Sequence, residues 1–225
     1  MYLPLRAGEG VRIKLLSQFD LCQKDCPLGR VYDMAVDEKE MIYVPDSSAG
    51  DIKIFNSDGR LYKTIGRKGL GPVEFISPIR IDLDSERICV QDIGQYKYIL
   101  FDRDFNEITR FFYPMSWHFM LLDRDRIITN EYLRDDNDRE FKGVILDFYG
   151  NVIKALQPIT APKRDAFRRI TESTAYIDTS KKGEIFLVRA SKVKVYKYSP
   201  EGELLKTFIW QATERFRRLS EKQGF

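Results

Sequence analysis

With 225 residues, 43% of them apolar and 32% charged, the chain is long enough to bury a sizeable core and too mixed in character to be disordered or fibrous. Its formal charge of +3, drawn from 37 basic and 34 acidic residues, is weak evidence about partners, since nucleic-acid binders concentrate far more positive charge on one face. Fifteen phenylalanines and twelve tyrosines suit pleated, half-buried surfaces and lean the fold toward sheet.

No run approaches the roughly 20 apolar residues that cross a bilayer, so no integral membrane segment is expected. The opening stretch MYLPLRAGEGVRIKLL lacks the continuous apolar region of a secretory signal. Localisation is therefore expected to be cytoplasmic, or exported if the chain is a trimmed or truncated fragment. Residues 11–33 supply one or two N-terminal strands. Cys22 and Cys26 stand in CQKDC and Cys89 in RICVQD; three thiols cannot close a disulfide framework. The first two are read as a local disulfide or plain thiols, and Cys89 as a buried strand residue.

From residue 34 the chain repeats a plan. An alternating run (VYDMAVD) precedes MIYVPDSSAGDIKIFNSDGRLYKTIG, and the second unit, IRIDLD with RICVQDIGQYKYILFDRDFNEITRF, follows the same order. Ile42 and Ile88, Asp46 and Asp92, and Phe55 and Phe101 all lie 46 residues apart. A third unit begins at WHFMLLD and carries a charged insertion, LRDDNDREFK, between its middle strands. A fourth begins at TAYIDTS and ends in KVYKYSPEGELLKTF. Turn glycines recur at Gly59, Gly150 and Gly202, where positive φ is reached without steric cost. Four short strands per unit, repeated along the chain, predict blades of a β-propeller at 34–66, 79–111, 117–156 and 174–208 within one domain. One blade cannot bury both faces of its sheet, so neighbours must stack. Residues 209–225 form a tail, a short helix or the start of a further blade.

TIGRKGLGPVEFISP joins the first two units. A phosphate-binding loop needs Lys-Ser or Lys-Thr after its last glycine and then a helix; here Pro72 and Val73 follow Gly71, and a strand comes next. The loop is read as a blade connector, with Phe75 anchored between sheets.

Val44 with Asp46, Ile52-Lys53-Ile54-Phe55, Asp58-Gly59, Gly69, Gly71-Pro72 and Glu74-Phe75 resemble the NHL-type repeat of bacterial six-bladed propellers, most closely over residues 41–111. The resemblance implies an all-β propeller of NHL-like four-stranded blades. Its four legible units make it incomplete or unusually small beside a six-bladed ring, with open edges that could pair in a homo-oligomer.

Chemistry in related hydrolytic propellers sits at the central channel, on histidines and calcium ligands. This chain has one histidine, His118, which excludes His-pair metal sites. The carboxylates Asp37, Asp46, Asp82, Asp84, Asp92 and Asp123 are read first as holders of turn N–H groups. Asp46 and Asp92, equivalent in the repeat, are the pair an alternative calcium site would use. Otherwise no cofactor is expected. Basic residues on connectors, Arg67 and Lys68 in the first and Arg164, Arg168 and Arg169 in the long loop at 157–175, are candidate binding residues. The expected role is non-enzymatic: a propeller presenting loops to a protein or another ligand. A calcium-assisted hydrolase or lyase and an RNA-binding NHL-like propeller are the alternatives.

Overall fold

A computed structural model describes residues 27–113, 116–159, 175–180, 182–189 and 194–209. Their secondary structure is strand and turn, in four antiparallel sheets of four strands each. The first holds β1 (Ala35–Val36), β2 (Ile42–Asp46), β3 (Asp51–Phe55) and β4 (Leu61–Ile65). The second holds β5 (Pro78–Leu83), β6 (Arg87–Asp92), β7 (Lys97–Asp102) and β8 (Glu107–Phe112). The third is β9 (Phe119–Leu121), β10 (Arg126–Arg134), β11 (Glu140–Asp147) and β12 (Val152–Pro158). The fourth is β13 (Ala175–Thr179), β14 (Ile185–Arg189), β15 (Lys194–Tyr198) and β16 (Leu204–Ile209). Strands pair in chain order within every sheet, which is the meander of a propeller blade.

The cores lie in the seams between blades. Tyr43, Ile52 and Ile54 of the first blade meet Ile81, Ile88, Val90, Ile99 and Phe101 of the second. Cys89, Tyr98, Leu100 and Phe111 on the opposite face of the second blade meet Phe119, Ile127, Val144 and Leu146 of the third. Ile128, Ile145 and Leu156 then meet Ile177, Ile185, Leu187, Tyr196 and Tyr198 of the fourth. In RICVQD, alternate residues therefore feed two different seams, and all six positions are buried. That explains why the middle strands read as apolar runs instead of half-polar ones. Each such side chain contributes about 1.5–3 kcal/mol by leaving water.

Local turn chemistry closes the blades. The third-to-fourth-strand turns place Gly59, Gly150 and Gly202 at φ of 83°, 85° and 80°. In the second blade Phe105 takes the same place at φ 65°, and its buried ring packs 5.7 Å from Phe101. Packing there offsets the left-handed penalty, about 1–2 kcal/mol, that glycine avoids.

The insertion in the third unit does not interrupt its strands. Past an irregularity between Thr129 and Tyr132, pairing resumes at Tyr132–Lys142 and continues to Arg134–Glu140. The charged residues lengthen a hairpin, because alternation lets one side stay solvated while the ladder bonds persist. The connector between the first two blades runs from β4 to β5. Phe75 is fully buried there, edge-on to Phe101 at 6.1 Å. Residues 1–26, the long loop with Arg164, Arg168 and Arg169, and the tail from residue 210 lie outside the described residues.

Candidate functional site

The first strands of successive blades, β1, β5, β9 and β13, pack side by side and form an inner wall. Polar side chains on or beside this wall tie each blade to the next. Asp33 Oδ2 accepts the Ile81 N–H at 3.3 Å, joining the first blade to the second. Asp82 Oδ2 accepts the Leu121 N–H at 2.6 Å, joining the second to the third. Asn130 Nδ2 donates to the Ala175 carbonyl at 2.9 Å, joining the third to the fourth.

Where the inner strands run out, a cleft of about 820 Å³ opens across all four blades. Asp37, Glu38, Lys39, Asp82, Asp84 and Arg103 give it its charge, and Met120 and Leu121 add apolar lining. Asp37 accepts the N–H groups of Lys39 and Met41, both at 2.9 Å, and the Arg103 guanidinium at 2.5 Å. Burial alone would raise its pKa; these bonds, with that from Tyr43, outweigh it and hold the group below the ordinary carboxylate value. Asp84 accepts from Glu86 N and Arg87 N at 2.8 and 2.7 Å and pairs with the Arg87 side chain. Arg103 also donates to the Tyr43 hydroxyl at 2.9 Å and the Asp84 carbonyl at 3.2 Å. Asp37, Asp84 and Arg103 are thus held in place before any ligand arrives.

Asp82 differs. Desolvation pushes its pKa up to about 6, the N–H bonds from Leu121 and Leu83 acting against the shift and the charges of Asp33 and Asp84 adding to it. It is a carboxyl that titrates near neutrality inside a cleft, which suits proton exchange as well as binding.

Asp46 and Asp92 lie elsewhere, each in its own nest of donors. Asp46 accepts from Gly29, Arg30, Ser48 and Ala49 N–H groups at 2.7–3.2 Å and from Lys53 Nζ at 3.3 Å. Asp92 accepts from Ile76, Ser77 and Gly94 N–H groups at 2.7, 2.8 and 3.0 Å and from Gln95 Nε2 at 2.9 Å. Both carboxylates fasten the incoming chain to the second-to-third-strand turn of a blade. No group of three or more metal-ligating side chains occurs among the described residues. Arg67 and Lys68 are exposed on the connector, where Arg67 Nε bonds Glu74 Oε1 at 2.7 Å.

Asp82 and Asp84 were visible as candidates in IRIDLD; Arg80, Gln91 and Asp33 were not. The available signal was a charged residue at alternate positions of an innermost strand, where one face must be apolar.

The fold is similar to that of solved propellers. The crystal structure of a "Putative exported protein" from Bacteroides fragilis NCTC 9343 superposes with a TM-score of 0.61 at 18% identity, over 89% of this chain and 58% of that one. A member of the DUF4221 family from Bacteroides vulgatus ATCC 8482 gives 0.57 at 15% identity, over 81% and 59%. The chain thus spans less than two thirds of either neighbour. No curated protein matches it. The family model described as "6-bladed beta-propeller" matches residues 21–213, and with four meander blades already in view the chain belongs to that family, DUF5128.

Proposed function

We propose that this chain is a binding propeller that holds a protein or other macromolecular ligand at the cleft ending its inner wall. The observation that carries the reading is the cleft's preorganisation: Asp37, Asp84 and Arg103 are locked by main-chain and ion-pair bonds, so a partner meets charges that need no rearrangement. Its position across four blades suits recognition by shape and fixed charge. NHL-like repeat character is part of this reading and rests on the motif residues between 41 and 111. An exported location agrees with the name of the Bacteroides fragilis neighbour. The RNA-binding alternative depends on Arg164, Arg168 and Arg169, outside the described residues.

A photocrosslinking residue at Glu38, on the cleft, and another at Tyr62, exposed on the outermost strand β4, test the proposal. Discrete adducts from Glu38 alone support it. Equal labelling from both sites, or none from Glu38, overturns it.

One observation favours the hydrolase or lyase alternative, namely the raised pKa of Asp82 in the same cleft. A calcium site at Asp46 and Asp92 draws less support, since main-chain N–H groups occupy their oxygens. Stoichiometric calcium in native mass spectra, lost on Asp46→Asn or Asp92→Asn, would favour it.

A further inference from the structure

The second and third blades bury both of their faces, one on each neighbour. The fourth does not. Ile177, Ile185, Leu187, Tyr196 and Tyr198 are buried against the third blade, and the alternate residues of the same strands point away from it. On that far face Tyr176 and Phe208 are 62% and 41% exposed, and Phe186, Val188 and Val195 between them are half-buried. The residues facing the same way in the second blade, Cys89, Tyr98, Leu100 and Phe111, are at most 5% exposed, because the third blade covers them.

Ladder register fixes how the far face is laid out. Tyr176, Val188, Val195 and Phe208 stand opposite one another across the four strands, so they form one row that is apolar from inner edge to outer. The next row on the same face is Asp178, Phe186, Lys197 and Lys206, acidic at the inner edge and basic at the outer. Lys197 Nζ pairs with Glu184 Oε1 at 2.7 Å and lies over the Phe186 ring, 5.7 Å from its centroid. Asp178 and Glu184 balance Lys197 and Lys206, so the face carries no net charge to repel a copy of itself. An apolar row left in water costs free energy that burial recovers.

A second copy has two ways to cover this face. Head-to-tail stacking would bring in the outward side of a first blade. There Val44 and Phe55 are already buried, with Leu28 and Leu61 packed against them, so that end offers no matching surface. Far face on far face is the pairing that closes on itself. The two rows then choose the axis. A two-fold axis along the strands keeps each row in place and exchanges its ends: Tyr176 of one copy meets Phe208 of the other, Val188 meets Val195, Asp178 meets Lys206, and Phe186 meets Lys197. An axis across the strands would set the apolar row on the charged one, Val195 on Lys197 and Tyr176 on Asp178. Only the first matches apolar to apolar and acid to base. It also gives the aligned sheet packing of a β-sandwich, about 10 Å between sheets.

We propose that the far face of the fourth blade is a homodimer interface, two copies packing face to face about a two-fold axis parallel to their strands. The contact uses a sheet face and not strand edges, and it stands apart from the macromolecular reading of the cleft. The test is sedimentation equilibrium of the full chain at about 100 μM, which saturates a Kd in the micromolar range. The expected species is a dimer. Val195→Lys, in the middle of the apolar row, and Phe208→Ser, at its exposed end, should each give a monomer with wild-type far-UV circular dichroism, since both side chains reach solvent in the single copy. Asp178→Lys should weaken dimerisation about tenfold, and adding Lys206→Asp to the same chain should recover most of the loss, a coupling that the strand-parallel axis alone provides. A monomeric wild type, with the face open or covered by another part of the polypeptide, overturns the proposal. So does open-ended association, a dimer that Val195→Lys and Phe208→Ser both leave intact, or a charge reversal that Lys206→Asp does not repair.

Discussion

Asp92 and Asn130 fasten the incoming chain in the second and third blades, yet they do so with different chemistry. Asp92 gathers four donors onto two oxygens and offers none itself. Asn130 accepts one, from His118 N at 3.0 Å, and turns its amide nitrogen outward to the Ala175 carbonyl of the next blade. In the second blade the stitch to the chain and the tie to the following blade are split between Asp92 and Asp82; in the third, one asparagine does both. The departure from the repeat is a gain of function for that position: a carboxylate cannot donate, and the blade boundary there requires a donor. The first two blades, whose stitches Asp46 and Asp92 stand 46 residues apart, share one solution; the third reaches the same end by another.

The largest predicted effect breaks the first boundary. Phe75→Ala removes a fully buried ring from the seam and should cost about 3–5 kcal/mol by urea denaturation. A loss below about 1 kcal/mol would mean the connector is not anchored there. Exchanging the two stitches comes next. Asp92→Asn points an amide N–H at main-chain donors, and Asn130→Asp sets a carboxylate against the Ala175 carbonyl; each should cost about 2–3 kcal/mol. A neutral Asn130→Asp would refute the donor argument.

Asp82→Asn sharpens the contrast between tie and stitch. The folded pKa of Asp82, about 6, lies above the ordinary aspartate value of 3.8, so the native state holds its proton longer. Between those values the unfolded chain has already ionised, so wild-type stability falls as pH rises through the window. The penalty is complete above pH 6, on the order of 2 kcal/mol after allowing for partial exposure. Asp82→Asn keeps an acceptor for Leu121 N–H and should be more stable than wild type at pH 7, with the difference vanishing near pH 3.5. Thermal melts at both pH values decide it; equal differences would show that the proton is not responsible. Arg67→Ala is the smallest: its exposed pair with Glu74 should leave the unfolding midpoint unchanged. A large shift would make that connector a structural element.

Much of the architecture could be read from the chain. The constant spacing of Ile42/Ile88 and Phe55/Phe101 located equivalent strands, and turn glycines located the hairpins. The insertion after Tyr132 was read as lying between two strands; its ends, Leu133-Arg134 and Glu140–Lys142, belong to those strands, because a ladder solvated on one side tolerates charge. The site was harder to read. Asp84 and Asp123 share the Asp-x-x turn pattern, whereas Asp37 and Arg103, 66 positions apart, meet only where two blades come together.

By itself the sequence determined the four-stranded unit, its turns and the alternation that sends neighbouring residues to opposite faces, because these depend on contacts within a few residues or one strand pair. Only the tertiary structure decided which blade each face meets, that Asp82 is desolvated while Asp84 accepts the N–H groups of its own turn, and that the far face of the fourth blade reaches solvent. Those properties depend on burial and on groups from different blades, and neither is encoded in local spacing.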